Sequence, residues 1–363
     1  MKNKLYLLTF LFLLLRINVY SQSSESSPKL IVTGYVDAYY AYYNDSVGIG
    51  NFQKFPSISP RSKQFGLNTA QLSFQYDAEK IRGLATLHFG DIAKSAWSPT
   101  LNNVMEAHAG IRLFKKHWLD AGLFRTHFGT EGLLPKENFT SSVSINTIYE
   151  PYFEAGLRLN YNATDKLSFN LLALNGYNTF EDNNDKKSLG LLVTYAFGEN
   201  GNLGYSNYIG DDTPNEIKTS HLRIHQNIFI NYQIKKLKIQ LGGDFCIQEN
   251  SKINDKTKSA TMSSGVLGLK YQLNEKIGIY GREELFNDPD GFMSSILTNG
   301  LGEASGYKLW GTTLGFEYKP TDSSYIRIEE RQISMDKDQQ IFIHDGKLSN
   351  KRLELLINFG ISF

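Results

Sequence analysis

The last twelve residues of the chain, 352–363, alternate between two kinds of side chain. Every second residue is apolar, and these residues are Leu353, Leu355, Ile357, Phe359, Ile361 and Phe363. The residues between them are Arg352, Glu354, Leu356, Asn358, Gly360 and Ser362. A period of two predicts a β-strand with one apolar face and one more polar face. About ten residues are enough for a tilted strand to cross a bilayer. The segment therefore predicts a membrane-crossing strand if the pattern recurs along the chain.

The amino terminus predicts secretion. Lys2 and Lys4 precede an apolar run over residues 5–15, and Ser21 is a small residue before a plausible cleavage point. This pattern is typical of a cleaved signal peptide, and its apolar run is too short for a transmembrane helix. We expect a signal peptide over residues 1–21, a flexible extension over 22–29 and a single barrel domain over 30–363.

The composition excludes several classes of protein. After residue 21, no apolar run approaches the length of a membrane-spanning helix. The formal charge is +1, which does not favour nucleic-acid binding. Cys246 is the single cysteine, so the chain has no internal disulfide. Aromatic residues make up 13% of the chain, which suits many strands with aromatic girdles at the membrane interfaces.

The alternation recurs along the whole chain and predicts sixteen strands. Their predicted ranges are 30–43, 65–76, 82–91, 104–114, 117–128, 152–161, 167–176, 188–197, 202–209, 221–234, 236–248, 260–273, 276–287, 306–318, 323–334 and 352–363. The connection after each even-numbered strand is short, and the connection after each odd-numbered strand is usually longer. Outer-membrane barrels show this rhythm, with short periplasmic turns, long extracellular loops and both termini in the periplasm. The pattern predicts an all-β, antiparallel up-and-down transmembrane barrel.

Several segments carry a resemblance to a known family. They are Gly34-Tyr35-Val36-Asp37, Ala121-Gly122-Leu123-Phe124, His127-Phe128-Gly129-Thr130-Glu131, Glu137-Asn138-Phe139, Pro151-Tyr152, Leu174-Asn175-Gly176-Tyr177-Asn178 and Asp288-Pro289-Asp290-Gly291. In their order and spacing, the chain resembles the OmpL-like β-barrel porin family of Gram-negative bacteria, especially Bacteroidetes-type members. The family tends to have Trp where this chain has Phe139 and Tyr177. The resemblance implies a diffusion channel in the cell outer membrane, with no catalytic residues to carry over.

Charged residues occupy the strand positions that would face the barrel interior. The candidates for lining the pore are Asp37, Glu106, Arg112, Glu154, Arg158, Arg282, Glu284, Arg327, Glu329, Arg331, Arg352 and Glu354. They could organise the passage of solutes or ions. Alternatively, opposite charges on neighbouring strands could pair and hold the shape of the barrel. Asp37 is expected beside the last strand once the barrel closes.

The connection over residues 129–151 is the third external loop. In general porins, as the resemblance implies, this loop folds inward and narrows the pore. Glu131, Lys136, Glu137, Asn138 and Ser142 are then candidates for a constriction. An outward surface loop is the alternative.

Two other functions compete with a passive porin. An outer-membrane enzyme would need a catalytic constellation near the membrane rim, and none is recognisable. A structural or adhesion barrel would have an occluded lumen. We expect no cofactor and no metal, because the histidines lie on different strands or too far apart along one strand.

The expected partners are outer-membrane lipid, small solutes or ions, and no nucleic acid. The carboxyl-terminal strand, which ends at Phe363, resembles the signal that the barrel assembly machinery recognises. The sequence leaves open the solute and whether the barrels form a homotrimer.

Overall fold

The computed structural model describes residues 28–45, 52–298 and 302–363. Sixteen antiparallel strands form a closed barrel in which each strand pairs with the next along the chain. The first eight strands are β1 (Lys29–Tyr43), β2 (Gln64–Asp77), β3 (Ile81–Phe89), β4 (Val104–Phe114), β5 (His117–Arg125), β6 (Phe153–Asn162), β7 (Leu167–Leu174) and β8 (Ser188–Ala196). The next eight are β9 (Gly201–Gly210), β10 (Arg223–Ile234), β11 (Leu237–Gln248), β12 (Ala260–Gln272), β13 (Ile277–Asn287), β14 (Lys308–Tyr318), β15 (Ser324–Met335) and β16 (Lys351–Ser362).

The sixteen predicted strands are confirmed, with ends that shift by a few residues. The largest shift is at the end of β5, which was predicted to reach residue 128 and ends at Arg125. After Arg125 the chain enters the loop to β6. In that loop the ring of His127 bonds the carboxylate of Glu154, a residue of β6, at 2.8 Å. The predicted signal peptide and residues 22–27 of the predicted extension lie outside the described residues.

The first and last strands close the barrel. β1 pairs with β16 from Tyr35 opposite Ser362 to Tyr43 opposite Glu354. Asp37 lies in this seam and is fully buried. Its carboxylate accepts hydrogen bonds from the Tyr325 hydroxyl at 2.5 Å and from the side-chain amides of Asn68 at 2.6 Å and Asn358 at 3.0 Å. The seam therefore joins β1 to β2, β15 and β16 through one carboxylate.

The two faces of the strands differ as the alternation predicts. In β16, Leu355, Phe359 and Ile361 are exposed on the outside, whereas Arg352 and Glu354 are buried inside. A closed barrel pairs all of its strands, which the hydrocarbon core of a membrane requires. Among the described residues, carboxylates occur on the outer face in mid-strand at two positions, Glu283 and Glu330.

The connections at one end of the barrel are tight turns, and those at the other end are long loops. The loop between β3 and β4 contains helix α1 (Asp91–Ser95), and the loop between β5 and β6 contains helix α2 (Ile145–Tyr149). The Ser144 hydroxyl caps α2 by accepting a hydrogen bond from the backbone N–H of Thr147. The remaining elements are 3-10 turns at Pro135–Glu137 and Gly198–Asn200, and hairpins formed by Leu297–Thr298 with Ala304–Ser305 and by Phe342–His344 with Lys347–Ser349.

In the described part of the chain, no helix has the length and apolar character needed to cross a membrane.

Candidate functional site: the barrel interior

The loop over residues 126–152 docks against the inner surface of β13 and β15. Two carboxylates on this wall accept hydrogen bonds from the loop backbone. Glu329 accepts from the N–H of Ser141 at 2.6 Å and of Ser142 at 3.0 Å, and Glu284 accepts from the N–H of Ile145 at 2.7 Å. Bonds to an ionised acceptor are stronger than bonds between neutral groups. The loop is therefore fixed by its main chain as well as by its side chains.

Two arginines of the same wall complete the attachment. Arg327 donates to the carbonyl oxygens of Pro135 at 2.8 Å, Thr140 at 2.8 Å and Asn138 at 3.0 Å. Arg282 donates to the carbonyl oxygen of Ser142 at 2.8 Å and pairs with the loop carboxylate Glu131 at 3.0 Å. The planar guanidinium has five N–H donors, so one arginine can hold several carbonyl groups.

Three polar residues on the neighbouring strands also hold the loop, and the sequence analysis did not identify them as site residues. Gln240 donates to the carbonyl oxygen of Thr130 at 2.9 Å, and Asn227 donates to the hydroxyl of Thr130 at 3.0 Å. The Ser264 hydroxyl bonds the side chain of Asn146 at 2.6 Å. The signal that could have identified Asn227 and Gln240 is their place at polar positions of clearly alternating strands.

A chain of ion pairs runs along the covered wall. Arg331 lies 2.7 Å from Glu284 and 3.3 Å from Glu354, and Arg352 lies 3.0 Å from Glu354. Arg352 also pairs with Asp45 at 3.2 Å. Its guanidinium lies 4.3 Å from the centre of the Tyr43 ring. Charges on β13, β15 and β16 thus pair with one another along this wall.

Most of the predicted pore-lining residues lie in such covered positions. Nine of them are no more than 4% exposed, namely Asp37, Glu154, Arg282, Glu284, Arg327, Glu329, Arg331, Arg352 and Glu354. They point away from the lipid face, as the alternation indicates, but they contact loops, one another or, for Asp37, polar side chains of the seam instead of open water. The alternation identifies the face of each residue, and it carries no information about which loop covers that face.

On the opposite wall, formed by β3 to β6, charged side chains keep more contact with solvent, and we call it the wet wall. Asp120 is fully buried, and three side chains converge on its carboxylate. Arg82 donates to it at 2.7 Å, Asn160 donates at 2.6 Å, and Arg158 lies 3.3 Å away. The two arginine side chains keep 26% and 19% of their surface exposed. Glu106 is partly exposed and Arg112 is exposed on the same wall.

Aromatic rings support the arginines of this wall. The guanidinium carbons of Arg82 and Arg112 lie 4.6 Å and 4.8 Å from the centre of the Trp118 ring. The guanidinium of Arg158 lies 4.4 Å from the centre of the Phe124 ring. A cation over an aromatic face is attracted by the ring quadrupole, and the ring limits the motion of the side chain. The arginines are therefore held in defined positions while part of each remains in solvent.

The predicted constriction residues divide between the interior of the loop and its surface. Glu131 and Asn138 are buried, and the Asn138 amide donates to the carbonyl oxygen of Gly132 at 2.6 Å. Lys136 and Glu137 are exposed. Glu137 forms two hydrogen bonds of 2.6 Å with Arg125 at the end of β5. The exposed charged surface of the loop is thus formed around Lys136, Glu137 and Arg125.

Cavities lie beside the loops. One of about 310 Å³ lies between the inward loop and the barrel wall, where Leu192, Phe229 and Asn231 contribute to its lining. Another of about 880 Å³ lies among the external loops, where Arg223 and Asp290 contribute. Within the described ranges, no three metal-ligating side chains converge on one point.

A closed sixteen-strand barrel with long external loops, one of them folded against an inner wall, defines an outer-membrane porin. The chain matches the family model described as "Putative beta-barrel porin-2, OmpL-like" over residues 29–363, and it belongs to this family.

Solved outer-membrane channels share the fold at low sequence identity. An anion-selective porin from Comamonas acidovorans is 9% identical, with a TM-score of 0.61 over 93% of this chain and 100% of that chain. Salmonella typhi OmpF, solved in complex with daunomycin, is 13% identical, with a TM-score of 0.61 over 93% and 100%. The outer membrane channel DcaP of Acinetobacter baumannii is 12% identical, with a TM-score of 0.59 over 95% and 100%. No curated protein matches the chain.

Proposed function

We propose that the barrel is a non-enzymatic channel in which small hydrophilic solutes diffuse along the wall formed by β3 to β6. The observation that carries this proposal is the asymmetry of the interior. The loop over residues 126–152 covers the wall of β13 and β15, whereas Arg82, Arg112 and Arg158 keep solvent contact on the other side. A sixteen-strand barrel is wide enough to enclose an aqueous channel. The surface around Lys136 and Glu137 would form the side of the constriction that faces the path.

The route to the membrane is part of the proposal. A signal peptide over residues 1–21 would be cleaved near Ser21, and the strand ending at Phe363 would be recognised by the barrel assembly machinery. Assembly as a homotrimer is compatible with a porin fold and stays a proposal.

Single-cysteine labelling in planar bilayers tests the channel. In a Cys246→Ser background, Asn170→Cys introduces a thiol on the inner face of β7, where the side chain is partly exposed and lies opposite Asn160 at the edge of the β3 to β6 wall. Leu171→Cys is the matched control, because Leu171 is 48% exposed on the outer face of the same strand. We expect steady conductance from both variants, and a charged thiol reagent should reduce it only in the Asn170 variant.

The buried ion pairs between Glu284, Arg331, Glu354 and Arg352 favour a second candidate, a structural barrel with an occluded lumen. Bilayers that stay closed with properly folded protein would support this candidate and contradict the channel. Equal effects of the reagent on the two cysteine variants would contradict the proposed path.

A further inference from the structure

The charges on the wet wall are unequal. On the inner face of β3 to β6, in the half nearer the short turns, Arg82, Arg112 and Arg158 face a single carboxylate, Asp120. Asp120 is fully buried beneath Arg82, Arg158 and Asn160, so the solvent-exposed part of this cluster is cationic. Arg112 forms no ion pair with any described residue and is exposed. The cluster therefore presents a net positive charge to the lumen.

Cations on the far side of the same half add to this field. Lys238 is exposed on the inner face of β11. Lys270 and Arg327 share one carboxylate, Glu317, which is 2.8 Å from Arg327. Asp77, the last residue of β2 and the cross-strand partner of Arg82, is a carboxylate that partly offsets this field, and Gln75 donates to it at 2.6 Å. Fixed charges of one sign in a channel with low-dielectric walls raise the local concentration of the opposite ion.

The geometry of the arginines suits oxyanions. The Trp118 ring supports Arg82 and Arg112, and the Phe124 ring supports Arg158. Nε and Nη2 of Arg82 donate to Asp120, and Arg158 lies against the same carboxylate, so the guanidinium whose N–H edge no described carboxylate occupies is that of Arg112. Such an edge matches the two oxygens of a carboxylate or phosphate. Because the rings and Asp120 already order these side chains, an arriving anion would lose less affinity to the cost of ordering them.

We infer that Arg82, Arg112, Arg158 and Trp118 form an oxyanion-attracting strip that makes the channel anion-selective and weakly binds solutes carrying a carboxylate or phosphate group. This inference rests on the proposed channel function and names the solute class of that channel. Binding is weak because the strip lies on one wall and is open to water, so an anion that enters can also leave.

Reversal potentials under a potassium chloride gradient test the strip. We expect chloride to permeate better than potassium in the wild-type protein. Arg112→Gln should lower the chloride-to-potassium permeability ratio about two- to three-fold, because one fixed charge changes the local potential by on the order of kT. The effect should be largest in dilute salt and should fade near 1 M, where the screening length is only about 3 Å. Arg112→Lys should restore the ratio, since it keeps the charge.

The control variant is Lys94→Gln, which removes an exposed positive charge from α1 in an external loop. It should leave the ratio unchanged. Inorganic phosphate and succinate serve as probes of binding, and each should reduce the chloride current at lower concentration in wild-type protein than in Arg112→Gln.

The outcomes separate this inference from the channel itself. Absence of conductance in every variant would contradict the proposed channel. A conducting wild-type channel that prefers potassium, or an Arg112→Gln variant with the wild-type ratio, would overturn the strip and leave the channel intact. A loss of phosphate and succinate block together with a lowered ratio supports it.

Discussion

The two inner walls of this barrel use the same residue types for different purposes. On the covered wall, Arg331 and Glu284 are at most 2% exposed and hold each other and a loop. On the wet wall, Arg112 is exposed and has no carboxylate partner among the described residues. The difference lies in the covering loop, which removes water from one wall and leaves it on the other. Charged residues inside a barrel are therefore informative about solute passage only after their coverage is known.

The largest expected effect follows from breaking an ion pair on the covered wall. Arg331→Gln would remove the 2.7 Å cationic partner of Glu284 and one of the two cationic partners of Glu354 in a buried site. Removing one partner of a buried pair costs about 3–5 kcal/mol. We expect a matching loss in the free energy of unfolding, measured by urea titration in detergent. Arg112→Gln is the control on the wet wall, and its unfolding free energy should stay within about 0.5 kcal/mol of wild type. Similar losses in the two variants would remove the distinction between the walls.

The inner face of β16 carries Arg352 and Glu354, which are buried and paired. A charge on the outer, lipid-facing side of the same strand tests whether burial and pairing are what make these charges acceptable. Ile357→Arg places a cation on the lipid face, at a cost of about 2–4 kcal/mol near the midplane. We expect poor membrane insertion, measured by heat-modifiable gel mobility. Asn170→Arg, on the inner face of β7, should insert normally. Asn358 is unsuitable as the inner control, because it is fully buried and donates to Asp37. Equal insertion of the two variants would show that the assignment of faces is wrong.

Loosening the loop should make the covered wall more like the wet wall. Glu329→Gln removes the charge that accepts the N–H groups of Ser141 and Ser142. Hydrogen bonds to charged groups contribute about 1.5–3 kcal/mol, so the loop should detach more often. Single-channel recordings should show higher and noisier conductance. Glu330→Gln is a control one residue away on the outer face, and it should conduct like wild type. A quiet Glu329→Gln channel would mean that the other attachments of the loop are sufficient to hold it.

The smallest expected effect is a dependence of the free energy of unfolding on pH, caused by a carboxylate of the inward loop. Burial, with the nearby carboxylates of Asp244 and Glu131, raises the pKa of the loop residue Glu150 above its ordinary value of 4.5. The folded protein therefore keeps a proton that the unfolded chain releases, and stability decreases as the pH rises from about 4.5 towards the raised pKa. Urea midpoints measured over this range should fall with pH in wild type. Glu150→Gln should remove the contribution of Glu150 to the slope of the urea midpoint against pH. An unchanged slope would show that other titrating groups cause it.

The sequence predicts the strands well because the membrane imposes a simple rule on them. In β16, each lipid-facing position from Leu353 to Ile361 is apolar, so a period of two remains visible in one sequence. The same rule predicts that Arg352 and Glu354 face inward. It could not predict that Arg352 is covered, since that depends on Asp45 and Tyr43 approaching from β1 and its loop.

The loop over residues 126–152 shows a second limit of sequence analysis. Nothing local in this segment distinguishes an inward loop from an outward one. Its attachments are made to Arg282 and Arg327, which lie more than a hundred residues further along the chain. The wet wall was predicted only in part. Arg112 and Arg158 were identified from their inward positions, whereas Arg82, Asp120 and Trp118 depend on contacts across four neighbouring strands.

The Asp37 seam has a consequence for biogenesis. The carboxylate on the first strand completes its set of donors only when Tyr325 and Asn358 arrive, and these belong to the last two strands to be synthesised. If synthesis stops before β15, Asp37 lies on the unpaired edge of β1 without the donors Tyr325 and Asn358. The barrel therefore closes in the same step in which Asp37 gains its last hydrogen-bond donors. These hydrogen bonds stabilise only the closed barrel and not a partly assembled sheet.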